Sequence, residues 1–192
     1  MSRTTDARTL PALTAAAREL FYARGLGATT IDDIALASGL TKPTLYRYFP
    51  SKDALVATYL GERNRNLDAD LRAWIDAAAP PDGPRAVIDW LCDWISRPSF
   101  NGCAFVRAYV ELPRDGSVRE KANERKRTLL ATIDEACRAA GVADAPELAL
   151  RLALVIEGAT TMAFISGDPS PAAAAARDLG RLALQAAGLD ES

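Results

Sequence analysis

Histidine is absent from the 192-residue chain, and with it go the commonest general base, the commonest metal ligand and the usual near-neutral proton switch. Ser/His/Asp and Cys/His nucleophilic arrangements are therefore impossible. Cysteine is scarce: Cys92, Cys103 and Cys137 are widely separated and show none of the short paired spacings of a zinc or dithiol site. No metal or other cofactor is expected. No run approaches about 18 consecutive apolar residues, the length of a membrane-spanning helix, and the polar stretch from Met1 to Leu10 lacks the apolar core of a signal peptide. The expected location is the cytoplasm, with reduced thiols and no membrane association. Neither sign of charge dominates, since the formal net charge is -2, which argues against coating nucleic acid by bulk electrostatics.

What is present is the composition of a soluble globular protein, with 49% hydrophobic and 25% charged residues. The many Ala, Leu and Arg residues favour helix, and no segment alternates with the period of two that marks strands. An all-α chain of about nine helices is expected. Its length allows one large domain or a small head on a larger body, and either way it is long enough to bury a core. The charge is unevenly placed. Residues 1–52 carry seven Lys/Arg against four Asp/Glu, whereas the remainder carries sixteen against twenty-one, a modest basic surplus at the N-terminal end.

Leu13, Ala16, Ala17, Leu20 and Phe21 form the i, i+3, i+4, i+7, i+8 stripe of a first helix that stops at Arg24-Gly25. Thr30 begins a second helix as N-cap, with Asp33 at N3 in a variant of the capping box and Ile31, Ile34 and Ala35 on its apolar side. Gly39 ends it. Thr41 caps a short third helix, where Pro43 falls in the first turn at little cost and Leu45 faces inward. Ser51 caps a long fourth helix through Leu55, Leu67, Leu71, Trp74 and Ile75, which fades at the Pro/Gly-rich run 79–84. Further helices are predicted at about 84–97, 102–112, 117–140, 146–166 and 171–187.

Between 30 and 49 the pattern is helix, short turn with Gly39, helix, the layout that lays a second helix in the DNA major groove while the first braces it. On that recognition helix Lys42 can reach a guanine edge or a phosphate, Thr44 a base or a thymine methyl, and Arg47 offers a bidentate fork. Thr30, Tyr46, Tyr48 and Lys52 suit phosphates, which fix register and carry no sequence information. The pattern alone also fits an ordinary helical hairpin.

The run Ala28-Thr-Thr-Ile-Asp-Asp-Ile-Ala-Leu-Ala-Ser-Gly-Leu-Thr-Lys-Pro-Thr-Leu-Tyr-Arg-Tyr-Phe-Pro-Ser-Lys-Asp-Ala-Leu resembles the DNA-binding head of the tetracycline-repressor (TetR) family. The likeness extends upstream through Ala17-Arg-Glu-Leu-Phe-Tyr-Ala-Arg-Gly, so that it covers roughly residues 10–60. The resemblance implies an all-helical dimer whose head releases DNA when a small molecule enters the C-terminal body. It places base-reading and helix-positioning roles on Thr41, Lys42, Pro43 and Thr44, and phosphate roles on Thr30, Tyr46, Tyr48 and Lys52. Pro43 stands where many members carry Gly or Ala. It implies a helix-turn-helix domain at residues 1–52, with an effector-binding and dimerisation domain at 53–192.

In that body, Asn101-Gly-Cys-Ala-Phe resembles a Gly-Cys-x-Phe segment of one branch of the family. Trp74, Trp90, Leu91, Trp94, Cys103, Phe105 and Tyr109 are candidates for an apolar effector pocket with a few polar groups, or for ordinary core. Cys103, near a helix start, is either a reactive sensor thiol or a packing residue. Arg107 and Glu111, at i and i+4, read as a solvated pair. Leu148, Leu152, Val155, Ile156 and Ala159, with the small residues of 171–187, are expected to support a homodimer whose two heads read a near-palindromic operator. The function expected is a DNA-binding transcriptional regulator, a repressor released by an unidentified small-molecule effector. A constitutive or architectural DNA-binding protein and, more remotely, an enzyme on the same fold are the alternatives. With no phosphate-cradling glycine loop and no metal spacing, the chain is not expected to be an enzyme.

Overall fold

Local capping chemistry sets several of the helix boundaries in the computed structural model, which describes residues 3–112 and 116–189. The elements are α1 (Arg3–Arg24), α2 (Ile31–Ser38), α3 (Lys42–Tyr48), α4 (Lys52–Ala77), α5 (Gly83–Ser96), α6 (Ala104–Glu111), α7 (Gly116–Ala139), α8 (Ala145–Ser166) and α9 (Ser170–Ala186), with one 3-10 turn at Pro80–Asp82. Among the described residues there is no strand, as the missing two-residue period predicted. Ser51 Oγ accepts from Ala54 N–H at 3.1 Å and so starts α4. Asp144 does the same for α8 through Glu147 N–H, and Gly167 closes that helix in the left-handed region. Only α1 departs from its expected extent, running back through Pro11 to Arg3.

The packing falls into two units, Met1–Arg63 with Ala104–Asn123, and Asn64–Cys103 with Glu124–Ser192. The first unit buries Leu13, Ala17, Phe21, Ile34, Leu45, Val56, Leu60, Phe105 and Val118, and the Phe21 and Tyr59 rings meet at 5.5 Å. This core joins α1, α2, α3 and the first half of α4 to α6, so the hairpin 30–49 is held from behind by apolar contacts. The division differs from the division by role expected at residue 52.

The second unit packs α5, α8 and α9 on one another around Val87, Trp90, Leu91, Ile95, Leu152 and Ile156. A polar seam joins its part of α4 to α7. Arg72 donates to Asp68 at 2.9 Å and to Glu135 at 2.8 Å, and Thr132 Oγ1 donates to Asp68 at 2.5 Å. By length and composition α8 could cross a bilayer, because it is apolar on two sides. Leu148, Leu152, Ile156 and Ala159, expected at a dimer interface, are instead buried in this unit's own core, with Val155 half-buried. The exposed apolar set is Leu150, Leu154, Met162, Phe164 and Ile165 on α8, with Leu179 and Leu182 on α9.

Gly180 lets α9 approach α5 closely, since a Cβ there would lie 2.6 Å from Cγ1 of the buried Ile88. Helix propensity and packing then oppose each other in Gly180→Ala: propensity favours alanine by up to about 1 kcal/mol, while overpacking costs about 1–3 kcal/mol. Packing wins because Ile88 is β-branched and enclosed, so the variant should unfold at lower urea than the wild type. A higher midpoint would show that the α5–α9 contact yields freely.

Candidate nucleic-acid interface

The reading hairpin is built from two N-caps and one left-handed turn. Thr30 and Asp33 form a complete capping box: Thr30 Oγ1 accepts from Asp33 N–H at 3.1 Å, while Asp33 Oδ2 accepts from Thr30 N–H at 2.8 Å and from the Thr30 hydroxyl at 2.6 Å. These bonds, the Thr30 hydroxyl first, hold the Asp33 carboxyl below its ordinary value, helped by Arg24, whose guanidinium is 3.9 Å away. Gly39 adopts φ +68° and Leu40 N–H reaches Ala35 O at 3.0 Å, a closure that favours glycine at this position. Thr41 then caps α3, its hydroxyl oxygen 3.4 Å from Thr44 N and 2.9 Å from Thr44 Oγ1. With Leu45 buried, the opposite side of α3 must face solvent.

That outer side brings the expected residues together. Thr41, Lys42, Pro43, Tyr46 and Arg47 are exposed, and Thr44 and Tyr48 half-buried. Arg47 Nη2 donates to Tyr48 Oη at 3.2 Å, and its guanidinium carbon sits 5.1 Å from the Tyr48 ring centroid. Thr30 is exposed at the head of α2, while Lys52 is half-buried with Nζ 2.5 Å from Leu26 O. One ammonium donor is thus spent on the α1–α2 turn, and a lysine has three. The surface therefore offers hydroxyl, ammonium and guanidinium donors over two adjacent helices, the mixture that binds phosphate oxygens and base-edge acceptors.

Four participants escaped sequence reasoning. Asp32 lies 2.6 Å from Lys42 Nζ, a pairing between helices that no spacing rule indicates. Arg107 and Glu111, read as a solvated pair, both engage the end of α1 and its turn: Arg107 donates to Tyr22 O at 2.9 Å and Glu111 accepts from Gly27 N–H at 2.6 Å. Thr29, fully buried, donates to Gly25 O at 2.8 Å. The α1–α2 turn is consequently gripped from α4 and α6 through its backbone, by partners distant in sequence.

Of the residues considered for an effector pocket, Trp74, Trp90, Leu91, Trp94 and Cys103 belong to the second unit, Phe105 and Tyr109 to the first. Trp90 and Leu91 are fully buried, Trp74 half-buried. Trp90 stacks on Trp94 at 5.4 Å, Phe100 meets Trp94 edge-on, and Trp90 Nε1 donates to Asp70, which also accepts from Arg97. Phe105 is fully buried, and Tyr109 is exposed under the Arg119 guanidinium. A cavity of about 200 Å³ lies instead between α5 and α9, beside Arg85, Ile88, Arg177, Arg181 and Leu184. Burial pushes the Cys137 thiol up to about 11 and raises Cys92 as well, so both are poor nucleophiles. Cys103 is half-buried just before α6. Among the described residues no cluster could hold a metal.

Residues 13–59 match the family model described as bacterial regulatory proteins, tetR family. The HTH-type transcriptional regulator EthR of Mycobacterium tuberculosis is 35% identical over 71 residues, 37% of this chain and 33% of that protein, so the match spans about a third of this curated relative. Over nearly the whole length the chain is similar to the crystal structure of SCO4454, a TetR-family transcriptional regulator from Streptomyces coelicolor, with a TM-score of 0.86, 27% identity and coverage of 94% of this chain and 96% of that one. It also shares its fold with a protein from Saccharomonospora viridis crystallised in complex with choline, at a TM-score of 0.73, 21% identity and coverage of 91% and 95%.

The capping box makes α2 acid-sensitive. A carboxyl whose folded value is depressed adds stability that is complete above its unfolded value, about 3.9, and is lost as pH falls through the folded value. The urea midpoint of the wild type should exceed that of Asp33→Asn by a constant margin above about pH 5, with the gap closing below about pH 4. A gap that persists unchanged into acid would remove the carboxylate from the account of this cap.

Proposed function

From its place in the tetR family of bacterial regulatory proteins, a family of DNA-binding transcription regulators, we propose that this chain is a cytoplasmic repressor that grips its operator as a homodimer and is released by a small-molecule effector. The observation that carries the reading is the outer side of α3, where Lys42, Thr44 and Arg47 surround a helix fixed from beneath by the buried Leu45. Lys42, Thr44 and Arg47 read base edges, Thr41 and Pro43 shape the start of the recognition helix, and Thr30, Tyr46, Tyr48 and Lys52 bind phosphates.

Dimerisation rests on the exposed apolar residues of α8 and α9, Leu150, Leu154, Met162, Ile165, Leu179 and Leu182. Two copies related by a two-fold axis bury the same face against itself. The effector enters the second unit around the Trp90–Trp94 layer, with Trp74, Leu91 and Cys103 as neighbouring candidates from the sequence. The choline-bound relative by fold supports a helical body of this kind holding a small ligand. Since α6 carries both Arg107 and Glu111, a displacement of that helix would act directly on the α1–α2 turn. The coupling is reciprocal, so an effector that weakens DNA binding binds the DNA-bound protein correspondingly less tightly.

The test is selection of duplexes from a random pool by the purified protein, followed by anisotropy titration of the recovered duplex against a scrambled one. The recovered sequence should contain two half-sites about one helical turn apart and bind roughly 10³-fold or more tighter than the scrambled duplex. Thr44→Ala and Arg47→Ala should each relax the preference at one position by about 1–3 kcal/mol. Recovery of no sequence, with affinity set by salt alone, would instead favour the architectural alternative.

A further inference from the structure

We propose that the cavity between α5 and α9 is a binding site for a small carboxylate whose apolar body is about the size of a single ring. The site is additional to the effector candidates around Trp90 and Trp94, and it rests on no part of the DNA-binding reading. Its volume is about 200 Å³, and an apolar cavity of about 150 Å³ is enough to hold a benzene molecule. The cavity lies one helical turn from the close contact between Gly180 and Ile88, since Arg85 precedes Ile88 by three residues and Leu184 follows Gly180 by four. Ile88 and Leu184, both buried in the core of the second unit, form its apolar wall.

Charge is gathered around that wall. Arg85, Arg177 and Arg181 line the cavity together with Asp89 and Asp178. Three guanidiniums against two carboxylates leave one net positive charge, the complement of a monoanion. Arg85 is half-buried, Arg181 approaches Asp178 only to 3.9 Å, and among the described residues Arg177 enters no ion pair. A guanidinium carries five N–H donors, so donors are left for a ligand even where one or two are engaged. A carboxylate accepts them as a fork, while an apolar body displaces water from Ile88 and Leu184. Inorganic phosphate would use the donors and leave the wall wet, and its second charge would meet Asp89 and Asp178. Arg177 and Leu179 are two residues apart and hence lie on nearly opposite sides of α9, so the homodimer face proposed above leaves Arg177 and the cavity beside it uncovered.

The experiment titrates the isotope-labelled protein, without DNA and at constant ionic strength, with sodium benzoate, benzyl alcohol and sodium phosphate while amide chemical shifts are followed. Benzoate should give saturable perturbations centred on residues 85–89 and 177–189. Benzyl alcohol, which lacks the charge-assisted bonds, should bind roughly ten-fold more weakly. Arg177→Gln and Arg181→Gln should each weaken benzoate by up to about five-fold, the upper range for a charge pair still reached by solvent, and leave benzyl alcohol unchanged. Arg177→Lys, which keeps the charge and loses the fork, should fall between the wild type and Arg177→Gln. Both arginines are exposed, so urea midpoints near the wild-type value are expected and separate lost binding from lost folding. Equal affinity for benzoate and benzyl alcohol, or for benzoate and phosphate, would overturn the class of ligand. Shifts that do not saturate, or that centre on Trp90 and Trp94, would overturn the site. Failure of the chain to select any duplex would count against the regulator reading alone, because none of these titrations involves DNA.

Discussion

The left-handed turn at Gly39, locked by the burial of Leu45 beyond it, is the constraint on which the reading surface depends. Gly39 ends α2 at φ +68°, and within two residues Thr41 starts α3. A chain that reverses so quickly has no slack, so the direction of α3 follows from the position of α2. Leu45 and Ile34, both fully buried, fix the rotation of each helix about its axis. Only then do Lys42, Thr44 and Arg47 emerge on one side together. An L side chain at Gly39 meets no steric neighbour, yet its backbone conformation carries a penalty of about 1–2 kcal/mol, and the whole recognition helix is downstream of it.

Around that turn the polar groups are arranged for two different purposes. Thr30, Asp33 and Thr41 satisfy orphan backbone donors and define where helices begin. Lys52, Arg107 and Glu111 instead hold the backbone between Tyr22 and Gly27 from other elements of the same unit. A buried Thr29 closes the turn from within. The α1–α2 connection is thus the point where the reading hairpin is fastened to the helix that leads in sequence toward the rest of the chain. Charge-assisted bonds to backbone groups are stronger than neutral ones, yet they can be broken by movement of one helix.

Much of this was legible in the sequence because it is local. The caps at Thr30, Thr41 and Ser51 and the glycine stop at Gly39 are short-range chemistry, and the helices they bound lie within a residue or two of expectation. Buried positions such as Leu13, Phe21, Ile34 and Leu45 followed from helical periodicity. Periodicity could not decide which apolar side of α8 faces inward, because Leu148, Leu152 and Ile156 alternate with Leu150, Leu154 and Met162, and both sets recur at helical spacing. Tertiary packing, not pattern, buries the first set. Nor could spacing reveal that Lys42 meets Asp32 or that Glu111 reaches Gly27. Such pairs exist only once elements separated in sequence have been placed.

The central claim, that DNA is read from the outer side of α3 and gripped from the start of α2, can be mapped residue by residue. Amide chemical-shift perturbation of the labelled protein, titrated with the duplex it selects, is the most direct measurement. The account predicts perturbations concentrated at Thr30, Thr41–Tyr48 and Lys52, with smaller changes along the turn they share with Glu111. Perturbations centred on α8 and α9, with α3 unmoved, would contradict it.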